Sequence, residues 1–128
     1  MKHSRMLFLL LPLLIAGLAA CADSAKPEDA VIPYLEALLS NDEQKLNSAI
    51  CPAWEADAKR DLDAFTGVTG TLKDASCNKT GSDGDTALIA CTGTMELDYN
   101  GELRDRSLEG TTYRVDKIDG DWKVCGYN

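Results

Sequence analysis

The apolar residues change their spacing at Gly67, and that switch restricts what the chain can fold into. Before it they recur every three or four positions, as one face of a helix requires; after it they alternate, as one face of a strand requires. Val31, Leu35, Leu38 and Leu39 predict a helix over residues 27–40, with Pro33 kinking or delaying its first turn. Ser40 and Glu43 have the spacing of a capping box, opening a short second helix that buries Leu46, Ala49 and Ile50. Pro52 suits the first position of a third helix, on which Trp54, Ala58, Leu62 and Phe65 read as core packing. Beyond Gly67 the clearest strand spans residues 86–99, with Ala87, Ile89, Cys91, Met95, Leu97 and Tyr99 on one side and Gly93 marking a bulge or close approach. Asn100-Gly101 turns it into a strand over about residues 103–118, Asp119-Gly120 turns that one, and residues 122–127 close the sheet. The expectation is an α+β domain, with N-terminal helices packed on a curved four-stranded antiparallel sheet.

Length and charge narrow the partners. The 128 residues suit one domain, with no internal repeat. After residue 20 the chain holds 11 basic against 21 acidic side chains, so that part stands near −10. Such a surface repels phosphate backbones and anionic head groups, which argues against nucleic acid and against membrane binding through a basic patch.

The first twenty residues read as an address. Lys2, His3 and Arg5 precede an apolar run over residues 6–18, about 20 Å long as a helix and therefore short of the roughly 30 Å of bilayer hydrocarbon. The ending Leu18-Ala19-Ala20-Cys21 resembles the lipobox of bacterial lipoproteins. That resemblance implies a diacylglyceryl group on the Cys21 sulfur, cleavage before Cys21, and residence in the bacterial cell envelope, lipid-anchored with the domain extracytoplasmic. Residues 1–20 are then the signal peptide, 21–26 the lipidated cysteine and tether, and 27–128 the single domain. The tether reaches only about 12 Å as a flexible coil, which keeps the domain against the head groups. The competing expectation is an ordinary signal peptide cut at an Ala-x-Ala-like site.

With Cys21 lipidated, Cys51, Cys77, Cys91 and Cys125 remain, an even set that reads as two disulfides in an oxidising compartment. Three pairings exist. Cys77 and Cys91 lie symmetrically about Gly84, so a hairpin turning there sets them opposite each other and leaves Cys51 to Cys125. In the chain-entropy picture the longer loop is worth about 4.5 kcal/mol and the shorter about 3 kcal/mol. Spacing disfavours structural zinc, since no two of the four lie two to four residues apart. One conflict stays open: alternation puts Cys125 on the face opposite Trp122 and Val124, yet it has to reach Cys51 on the helical side. Either the strand bends near Gly126, or Trp122 and Val124 face outward.

Three helices followed by a curved sheet, with ICPAW at residues 50–54 and DGDWKVC at 119–125, resemble the cystatin-like or nuclear transport factor 2-like superfamily. The layout is similar in particular to small bacterial lipoproteins of that group whose function is unassigned. The resemblance implies a cone with a pocket between sheet and helices, used catalytically by ketosteroid isomerases, dehydratases and polyketide cyclases and only for binding by others. It also implies a Cys51–Cys125 bridge.

No histidine follows His3, so a Ser-His-Asp triad, a Cys-His pair and a histidine metal site are excluded beyond the leader, and bridged thiols supply no nucleophile. No catalytic residue and no cofactor is called for. A carboxylate base with a tyrosine donor stays open, from Asp57, Asp61 or Asp63 with Tyr34, Tyr99 or Tyr113, although the three aspartates read first as a solvated helix face. Asp83 to Asp85 and Asp119 to Asp121 read as turns before they read as calcium ligands. Arg104 and Arg106, on one strand face, could meet an acidic ligand or pair with neighbouring carboxylates. The expected function is a non-catalytic binding module for a small apolar ligand or an envelope protein partner. The alternatives are an isomerase or lyase of the ketosteroid isomerase type and a structural part of an envelope assembly.

Overall fold

The computed structural model describes residues 25–128; the expected signal peptide and Cys21 lie outside the described residues. A 3-10 turn, Pro27–Ala30, leads into α1, Val31–Leu39. Pro33 falls in the first turn of α1, where backbone amides lack helical partners, so the helix tolerates it. The end of α1 differs from the expected capping box. Asn41 adopts a left-handed conformation (φ 52°), its amide donates to the Leu38 carbonyl at 3.1 Å, and the Asp42 amide donates to Ala37 at 3.0 Å. This closure sends the Ser40 hydroxyl back to the Glu36 carbonyl at 2.8 Å. The cap of α2, Glu43–Ala49, therefore falls to Asp42, whose carboxylate accepts from the Lys45 amide at 3.0 Å. A second 3-10 turn, Pro52–Trp54, opens α3, Glu55–Ala64, whose Ala58 and Leu62 are buried while Trp54 and Phe65 pack at the core's margin.

The antiparallel sheet has five strands instead of four: β1 Thr69–Asp83, β2 Thr86–Tyr99, β3 Glu102–Ser107, β4 Thr112–Ile118 and β5 Asp121–Tyr127. The strand expected over residues 103–118 breaks in the middle, where Leu108 is buried with its amide on the Gly93 carbonyl at 3.0 Å and Gly110 turns the chain at φ 90°. The order is β1-β2-β4-β5, with β3 paired to the Thr94–Tyr99 half of β2 and β4 to its Ala87–Ala90 half. Gly93 divides the two halves. Opposite it, β1 carries two residues, Asp74 and Ala75, against one, and a Cβ on Gly93 would lie 2.6 Å from the Asp74 carbonyl oxygen. Such a bulge bends the strand and strengthens its twist, which curves the sheet around the helices.

The core fills the concave side. From α1 come Val31, Tyr34, Leu35 and Leu38; from the sheet come Ile89, Leu97, Val115 and Val124. The conflict at Cys125 resolves at the sheet edge. Arg114 pairs with Gly126 but Val115 with Val124, so Cys125 is the extra residue of a bulge and Val124 stays fully buried. Residues 50–51 run beside β5, Ile50 bridging Val124 in parallel and the Cys51 amide donating to the Val124 carbonyl at 2.9 Å. Cys51 thus meets Cys125 along the edge and not through the sheet. Among the described residues, no helix is long and apolar enough to cross a membrane.

Candidate functional site

A cavity of about 230 Å³ opens between α1, the end of α3 and the concave face of the sheet. Its apolar wall comes from Leu35 and Leu38 on α1, Phe65 just past α3, and Met95 on β2. Phe65 and Met95 line this space instead of filling it. Trp54 stands outside it, 5.6 Å from the Tyr34 ring and 5.7 Å from the Tyr127 ring.

The polar wall is built around Asp61. One carboxylate oxygen accepts the Tyr34 hydroxyl and the other the Tyr127 hydroxyl, both at 3.0 Å. The expectation of three aspartates on one solvated face is corrected for this one: Asp57 pairs with Arg60 in solvent and Asp63 is exposed, but Asp61 is half-buried against the cavity. Helix phase explains the difference, because Asp61 lies three residues after buried Ala58 and four before Phe65, on the border of the packed stripe. Tyr99 is away from the site, exposed beneath Arg104.

Tyr127 escapes a simple alternation count. Continuing from buried Val124, alternation would turn residue 127 outward; the bulge at Cys125 shifts the register by one, so Tyr127 pairs with Tyr113 and shares its inward face. The Tyr113 ring lies 6.2 Å from Tyr34 and 6.0 Å from Tyr127.

Burial pushes the Tyr34 phenol far above its ordinary range, and the charge and hydrogen bond of Asp61 push the same way. Tyr113 is raised by burial, with the Arg106 charge opposing. Tyr127 is raised by burial and then by its bond to Asp61, again opposed by Arg106. All three phenols keep their protons at neutral pH and act as donors. Arg106 stands at the cavity mouth, while Arg104 pairs with Glu102 at 2.9 Å.

The cysteines sit elsewhere. Cys77 and Cys91 are cross-strand partners on β1 and β2, joined over a sequence separation of 14, and Cys51 is joined to Cys125 over 74. Cys21 lies outside the described residues. Cys51, Cys125 and Asp116 form the one group close enough for a metal among the described residues, and its sulfurs are bonded to each other. The Asp83–Asp85 and Asp119–Asp121 segments are hairpin turns, with Asp83 held by Arg114 at 2.9 Å. A larger groove of about 650 Å³ lies between the start of the described chain, α1, α2 and Trp122.

No family model and no curated protein matches the sequence. The fold does find a counterpart: the crystal structure of a "putative dehydratase" from the NTF2-like family of Streptomyces avermitilis has a TM-score of 0.51, covering 77% of this chain and 87% of that one at 17% identity. This chain has an NTF2-like fold. Proteins with the NTF2-like fold include both enzymes and binding proteins. The cavity around Asp61 is the interior of its cone, between sheet and helices.

Proposed function

We propose that this chain is a non-catalytic extracytoplasmic binding module, held to a bacterial membrane by lipid on Cys21, that takes a small apolar ligand into the cone. The observation that supports binding is the cavity itself, with Leu35, Leu38, Phe65 and Met95 on one wall and a few convergent polar groups on the other. At about 230 Å³ it is smaller than the roughly 300 Å³ at which sites for drug-sized ligands begin, so the ligand is compact. The anchoring part rests on the sequence at residues 18–21, and Cys21→Ser should leave the precursor uncleaved and unlipidated.

A second reading, an isomerase or lyase with a carboxylate base, is favoured by the placement of Asp61 beside two tyrosine donors on the cavity wall. Against it, each Asp61 oxygen already accepts a tyrosine hydroxyl, so in the resting site this carboxylate acts as the acceptor that fixes two rings.

Calorimetric titration with a neutral probe, 3-phenylpropanamide, tests the binding function. Ala64 is exposed at the end of α3 on the cavity rim, so Ala64→Trp should plug the opening without loosening the core. The expected result is saturable binding by the parent chain and loss of it in the variant at an unchanged thermal midpoint. Equal binding by both would put the ligand site outside the cone.

A further inference from the structure

We infer that the ligand is a small amphiphilic carboxylate, its apolar tail in the cone and its anionic head received at the mouth by Arg106 and Tyr113. The inference rests on the binding function proposed above and replaces a wholly apolar ligand by one whose apolar part carries an anionic head.

Arg106 differs from its counterparts. Among the described residues, Arg60 pairs with Asp57, Arg104 with Glu102 and Arg114 with Asp83, while Arg106 makes no ion pair, in a chain with 21 acidic side chains. It stands directly across from Met95 in the β2–β3 register, so both side chains project from the inner face, and both border the cavity. A guanidinium left without a carboxylate at the mouth of an apolar space is a receptor for one brought by a ligand.

Tyr113 supplies an independent observation. The residue is 5% exposed and lines the cavity, and its hydroxyl enters none of the side-chain hydrogen bonds that hold Tyr34 and Tyr127. Tyr34 and Tyr127 spend their hydroxyls on Asp61. Tyr113 is the inward-facing tyrosine whose proton remains available to an acceptor inside the space.

Asp61 settles the ligand's orientation. Its negative charge repels an anionic head from the α3 side, while Arg106 attracts it toward β3, leaving the wall of Leu35, Leu38 and Phe65 to the tail. The cavity's size restricts the tail to one ring or a short chain.

The test compares 3-phenylpropanoate with its neutral isostere 3-phenylpropanamide by calorimetry on the detergent-solubilised full chain. The acid should bind at least about tenfold more tightly, equivalent to about 1.4 kcal/mol. Arg106→Gln, an exposed substitution that spares the core, should bring the acid down to the amide, and Tyr113→Phe should weaken the acid more than the amide. Equal affinities in the parent chain, or a preference that survives Arg106→Gln, would overturn the anion inference and leave cavity binding standing. Binding of neither compound would overturn both.

Discussion

Tyr34 joins the core to the site. Its ring is 2% exposed and packs against Trp54 and Tyr113, and its hydroxyl holds one oxygen of Asp61. Tyr34→Phe keeps the packing but leaves that carboxylate oxygen without its buried donor, and should cost about 1–2 kcal/mol by chemical denaturation. The same residue sets an alkaline limit. Its folded pKa lies above the unfolded value of about 10, so the neutral phenol stabilises the fold below pH 10 and that contribution is lost as the pH rises further. Denaturation curves between pH 9 and 11 should show the parent chain losing more stability than Tyr34→Phe. Residue types alone put Asp61 and Tyr34 among the candidates, because a carboxylate and a phenol are what the chemistry requires. They did not separate Asp61 from Asp57 and Asp63, which takes helix phase against Ala58 and Phe65. Tyr127 was hidden by the bulge at Cys125, a feature of strand pairing that one strand's own sequence does not carry.

Among the elements, β2 carries the shape of the cone. Its alternation and its glycine at position 93 were both visible in the sequence, since a glycine interrupting an alternating run marks a bulge or close approach. The partner bulge at Asp74 and Ala75 was not visible, nor was the break at residues 108–111: the first is a property of β1 pairing, and the second follows from Leu108 bonding to Gly93 across the sheet. Gly93→Ala adds a Cβ 2.6 Å from the Asp74 carbonyl oxygen in a backbone at φ 106°. It should cost about 2–3 kcal/mol, read as a lowered denaturation midpoint, and the strain should fall on the bend that frames the cavity. Full stability in that variant would mean that the bend is not held by close approach at Gly93. The helices were legible at their centres and not at their ends, because Asn41 in the left-handed region reassigned Ser40 from the start of α2 to the end of α1.

For the molecule as a whole, the helix-then-sheet order in the sequence was enough to place the fold class, because each half buries one apolar face and those faces can only meet each other. The fifth strand and the edge-on approach of Cys51 to Cys125 depend on pairings between distant segments. What the assembled fold adds is an interior space that no stretch of sequence announces, shared by α1, α3 and four of the five strands. Met95 reports on it directly, being the one methionine after residue 6. In a chain labelled with 13C-methyl methionine, titration with 3-phenylpropanamide should move the Met95 methyl resonance saturably, on the same curve as the heat of binding. A Met95 resonance that stays still while the heat saturates would contradict ligand binding inside the cone.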